Sequence, residues 1–140
     1  MTRRIVCWLT DDPVSAIAAK LAISENEPLG MPLVVVTVGS RVTPWLASSI
    51  HYIGVPVVCC PDAQTWRYKQ PGDVHVIGVP VDEQGRFDRL QEQWKGAPLL
   101  SNLADQALTR ADCLELWSRS NHPRCRGFMR RSALQWRFGT

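Results

Sequence analysis

Apolar positions in this chain come in blocks separated by short polar turns, and the blocks predict strand followed by helix several times over. Residues 4–9 (RIVCWL) form an apolar run that ends at the polar turn Thr10-Asp11-Asp12 and reads as a buried strand. Residues 13–25 then place Ala16, Ile17, Ala19 and Leu21 at helical spacing. Asp12 suits the N-cap of that helix, and Pro13 its first helical position. A break at Glu27-Pro28-Leu29-Gly30 precedes residues 31–38 (MPLVVVTV), which are almost wholly apolar. That is the pattern of a parallel-sheet strand covered on both faces.

The same alternation continues more weakly. Residues 44–52 (PWLASSIHY) predict a second helix and residues 55–60 a third strand. Residues 61–73 are polar and close on the turn Pro71-Gly72-Asp73. Residues 74–79 (VHVIGV) predict a fourth strand, and residues 83–95 a helix with Phe87, Leu90 and Trp94 on one face. Residues 98–100 are extended, with room for a short strand. Thr109 with Asp112 three positions on makes a near capping box for a last helix at 110–118. Repeated strand–helix units predict an α/β three-layer sandwich with a four- or five-stranded, mostly parallel sheet and right-handed crossovers. Ligands of such sheets sit at the carboxyl ends of the strands, which here gather residues 10–15, 39–41, 60–62 and 78–80.

With 140 residues the chain fits one domain, and no apolar stretch approaches the ~20 residues needed to span a membrane. Asp11, Asp12 and Lys20 interrupt the first apolar run, so it does not read as a signal peptide and a cytoplasmic location is expected. The five cysteines form no C-x-x-C pair. Cys7 and the vicinal Cys59-Cys60 lie in strand-like runs, where reduced buried thiols are expected. Cys113 is expected in the core with Leu116 and Trp117. His51, His75 and His122 lack ligand spacing, so no metal site is expected. His75, alternating with Val74 and Val76, reads as a structural histidine of a strand. Ser15 reads by default as a helix cap. Of six tryptophans most must be core, while Trp45, Trp66 or Trp136, if exposed, would mark a partner surface.

Charge is unevenly placed. The formal net charge is +3, yet the six arginines from Arg119 to the end face no acid. The domain proper, residues 1–118, is therefore slightly acidic, and residues 119–140 form a basic tail in which Trp136 and Phe138 interleave with arginine. Arginine with aromatics suits phosphate neutralisation plus stacking, and it also suits a solvated terminus. Cys125 between Arg124 and Arg126 has the setting of a lowered thiol pKa, or of a surface thiol with no role.

The first turn and helix, Val6-Cys7-Trp8-Leu9-Thr10-Asp11-Asp12-Pro13-Val14-Ser15-Ala16-Ile17-Ala18-Ala19-Lys20-Leu21, resemble the opening of phosphoadenosine phosphosulfate reductase-like proteins, whose motif is S-G-G-x-D-S followed by A-x-A-A-K-L. Val34-Val35-Val36-Thr37-Val38-Gly39-Ser40 resembles that family's second strand, and residues 73–113, ending in LTRADCL at 108–114, its later part. The resemblance covers most of residues 4–118. It implies an adenine-nucleotide α-hydrolase fold, a nucleotide site at Thr10, Asp11, Asp12, Ser15, Gly39 and Ser40, and kinship with the short versions that phages carry.

The departures fall on the functional positions. Asp11 and Asp12 stand where the family has two glycines, Val14 where it has an aspartate, and Pro13 removes an N–H donor. Carboxylates within about 5 Å of a phosphate chain cost on the order of 1 kcal/mol per charge pair even at water-like screening. The family's sulfonucleotide loop is cut to residues 67–72, and its cysteine-bearing end is replaced by the basic tail. The expectation is thus a vestigial nucleotide site, no cofactor, no catalytic residue, and a macromolecular partner. That partner is a protein or nucleic acid held through Arg124, Arg126, Arg130, Arg131 and Trp136, and the phage kinship implies a host- or defence-directed role. An exposed edge strand leaves room for a homodimer. The alternative is a Mg²⁺-dependent adenine-nucleotide or sulfonucleotide enzyme in which Thr10, Asp11, Asp12 and Ser15 surround a metal–nucleotide. A decayed product that folds without a role is a third reading.

Overall fold

The computed structural model describes residues 4–38, 43–60, 72–94 and 98–119. Five strands, β1 (Ile5–Leu9), β2 (Leu33–Val38), β3 (Val57–Cys60), β4 (Val74–Val76) and β5 (Leu99–Leu100), form one sheet in the order β3-β2-β1-β4-β5. Every pairing is parallel, with Ile5 beside both Leu33 and Val74. The expected sheet is present, with five strands, and the weakest of the predicted ones, β5, is real. β3 and β4 are shorter than the apolar runs that announced them. Ile77, whose N–H still donates to the Leu100 carbonyl at 3.0 Å, and Val79 follow the last paired residue and stay buried.

Helices cover both faces. On one lie α1 (Pro13–Asn26), α2 (Pro44–Ile53), the short α4 (Asn102–Asp105) and α5 (Arg110–Ser118), packed over Cys7, Leu9, Val35 and Val76. On the other, α3 (Gln84–Gln93) and the following Trp94 pack Phe87, Leu90 and Trp94 against Val6, Trp8, Val36 and Ile77. Alternate residues of β1 thus feed opposite layers, as strand geometry requires. α1 is buried nearly all round from Pro13 to Ala19. It has no polar stripe because the sheet, α2, α4 and α5 all touch it.

Local signals place the ends of these helices. Asp12 caps α1 by accepting from the Val14 N–H, Thr43 caps α2, and Gly54 ends α2 in the left-handed region at φ 73°. At α5 the capping box is complete, Thr109 and Asp112 each accepting from the other's backbone N–H. Two burial expectations are corrected. Cys59 is exposed, because vicinal strand residues point to opposite faces and β3 is an edge strand, leaving only Cys60 buried. Leu116 is 42% exposed, since α5 turns the narrow stripe of Cys113 and Trp117 inward and Leu116 lies off it.

At the amino end of the sheet Arg4 grips Asp73 through two hydrogen bonds, 2.8 and 3.2 Å, tying the start of β1 to the start of β4. His75 is buried and accepts a hydrogen bond at Nδ1 from the Trp8 indole at 3.0 Å, the structural role expected of it. Among the described residues no helix is long and apolar enough to cross a membrane.

Candidate functional site

Strand order reverses on either side of β1, so the crevice between the carboxyl ends of β1 and β4 is where an open α/β sheet places its ligand. The structure brings Thr10, Asp11, Asp12 and Ser15 to that point, at the start of α1. Gly39 and Ser40 lie outside the described residues, as do the tail positions Arg124, Cys125, Arg126, Arg130, Arg131 and Trp136, all of Trp66, and the side chain of Trp45.

The turn spends its own polar groups on itself. Ser15 Oγ accepts from the Thr10 N–H at 2.9 Å and donates to the Asp12 carbonyl at 2.7 Å. Ser15 is therefore a loop brace, and the cap of α1 is Asp12. Pro13 has no N–H, the Val14 N–H goes to Asp12 Oδ1, and the Ser15 N–H goes to the Asp12 carbonyl. The N–H groups that a phosphate would use at a helix start are thus taken internally. Asp11 is exposed and accepts from the Thr43 hydroxyl at the head of α2, 3.2 Å away.

The crevice is shut from its β4 side by Gly78. A Cβ placed there would lie 2.7 Å from Ser15 Cα and 3.0 Å from Ser15 N, so only glycine lets the two backbones meet. From above, Arg110 closes it. Its Nη1 lies 3.1 Å from Asp12 Oδ2, and Nε and Nη2 reach the two Glu83 oxygens at 2.5 and 3.2 Å. Asp82 accepts the Arg110 N–H at 3.0 Å. Arg110 was not among the residues singled out from the sequence. The signal for it was a cation in the first turn of a helix, a place the helix dipole disfavours unless carboxylates stand nearby.

The electrostatics follow from this cluster. Burial works against the Arg110 charge, but the hydrogen bond to Glu83 and the charge of Asp12 outweigh it and hold the guanidinium protonated above its ordinary range. The Arg110 hydrogen bond, against some burial cost, holds the Glu83 carboxyl below its ordinary value of 4.5. A carboxyl lowered by folding adds stability above its unfolded pKa, and that contribution is lost as pH falls through the folded value. Thermal melts at neutral pH should therefore show Glu83→Gln less stable than the parent, with the gap closing at acid pH. A gap that persists unchanged in acid would mean that Glu83 acts through packing alone.

Burial pushes the Cys7 and Cys113 thiols up to about 12, so neither is a thiolate nucleophile at neutral pH. Four carboxylates, Asp11, Asp12, Asp82 and Glu83, gather around the crevice. Arg110 meets three of them and Arg86 reaches Glu83 at 3.2 Å. No protein-family model, curated protein or solved structure matches this chain.

Proposed function

We propose that this chain is a non-catalytic relative of phosphoadenosine phosphosulfate reductase-like proteins that acts by binding a macromolecule. The observation that carries the reading is the Asp12–Arg110–Glu83 bridge across the crevice, which puts carboxylates and their own cation where a nucleotide's phosphates would sit. The internally used N–H groups and the Gly78–Ser15 backbone contact support it further. Binding then falls to the arginines and Trp136 of residues 119–140, which suit a protein or nucleic-acid partner. Likeness to the short phage versions of the family favours a host- or defence-directed partner.

Calorimetric titration with ATP and with adenosine phosphosulfate, with and without Mg²⁺, tests the reading. No heat is expected from the parent chain. Replacing both loop carboxylates (Asp11→Gly, Asp12→Gly) removes about 1 kcal/mol of repulsion for each charge pair and releases Arg110 Nη1 from Asp12, leaving its Glu83 pair in place. A phosphate affinity at least ~10-fold higher than the parent's is expected from that relief. Metal-dependent micromolar binding by the parent chain, lost in the double variant, would overturn the proposal and establish a metal–nucleotide site instead.

A further inference from the structure

Toward the other end of the sheet a groove of about 280 Å³ opens beside Ile5 and Val74, the first residues of β1 and β4, and extends to Val76 and Leu100, the last of β4 and β5. Ile5, Val74, Val76 and Leu100 line it from the sheet, and Ala22 and Asn26 from the last turns of α1. Leu29 and Leu100, large apolar residues exposed to 67% and 38%, border it. Glu25 stands beside them, and Glu27 is exposed nearby in sequence.

The course of the chain says what belongs there. α5 begins at the carboxyl edge, where Arg110 meets Asp12, and ends with Trp117 against Tyr52, ring centroids 4.8 Å apart. Tyr52 lies in the last turn of α2, which leads from the carboxyl end of β2 to the amino end of β3. The described chain stops at Arg119, two residues past the Tyr52 contact, on the α2 side of α1 and toward the amino edge of the sheet. Residues 120–140 follow, and an extended chain covers about 3.3 Å per residue, ample to reach any point on that edge. Within this segment Leu134, Trp136 and Phe138 alternate with Gln135 and Arg137. Period-two alternation gives an extended segment one apolar face. Arg130, Arg131 and Arg137 carry charge opposite to that of Glu25 and Glu27.

We propose that the groove is the docking site of this chain's own C-terminal segment, which lays Leu134, Trp136 and Phe138 against Leu29, Leu100 and the strand ends. Arg130, Arg131 and Arg137 then meet the acidic rim. The contact is also an autoinhibitory one: a seated segment withholds Trp136 from a macromolecular partner, so groove and partner compete. That consequence rests on the tail being the partner-binding element; the docking itself does not.

The test is photo-crosslinking of the purified full chain carrying p-benzoylphenylalanine in place of Leu29 or, separately, of Glu25, both exposed. Mass mapping should find an intrachain link to the peptide that holds residues 134–138. Its yield should fall at least ~10-fold when Leu134→Ser, Trp136→Ser and Phe138→Ser are combined, as loss of aromatic anchors implies. No link to that peptide from either position overturns the docking. So does a link joining two chains, which would seat a second copy there, or a small-molecule adduct. None of these outcomes alters the nucleotide titration, so the two proposals fail separately.

Discussion

Trp117→Ala should lower the unfolding free energy by about 4 kcal/mol, the loss typical of a buried tryptophan truncated to alanine. Trp117 is fully buried, lies in the main core with Ala16, Ala19 and Cys113, and packs its ring on Tyr52. It is the residue that fastens α5 over α1, and α5 in turn carries Arg110 to the crevice. Removing it leaves a large void under a helix of 9 residues that is otherwise held by Cys113 and the Arg110 ion pairs. Domains of this size are stable by about 5–15 kcal/mol, so the variant should sit near the edge of folding. Urea denaturation followed by circular dichroism reads the change directly. A loss under about 1 kcal/mol would mean that α5 does not depend on this contact.

Gly78→Ala should cost about 3 kcal/mol, at the upper end of ordinary overpacking. The added methyl meets Ser15 Cα at 2.7 Å and Ser15 N at 3.0 Å, and both are backbone atoms that cannot swing aside. Either the end of β4 or the Thr10–Ser15 turn must move, and the Ser15 brace and the Asp12 cap move with it. Gly85 provides the control, because a methyl there meets only the Arg89 guanidinium at 3.7 Å. Gly85→Ala should leave stability unchanged or raise it by up to about 1 kcal/mol. Equal midpoints for the two variants in the same denaturation experiment would contradict the close approach and, with it, a closed crevice.

The features legible in the chain were those with local causes. Apolar runs announced every strand, and Asp12, Thr109 and Asp112 announced the helix starts they cap. Phe87, Leu90 and Trp94 announced the buried face of α3. What misled was also local: Cys59 and Leu116 are apolar by type, and exposure was decided by an edge position and by which residues of α5 face the core. The four-residue helix α4 gave no periodic signal at all, since it is shorter than two turns.

At the candidate site the division runs between presence and use. The sequence by itself determined that two carboxylates occupy a turn between the first strand and the first helix, that proline removes a donor there, and that an α/β sheet places this turn at its carboxyl edge. Only the tertiary structure decided what those carboxylates do. Arg110 stands 98 positions from Asp12 along the chain, and Gly78 owes its necessity to a backbone it meets only after β4 pairs with β1. Periodicity and capping act over a few residues and are written in the order of side chains. Pairing across the crevice depends on strand order and on the packing of α5, which arise when distant segments exclude water together.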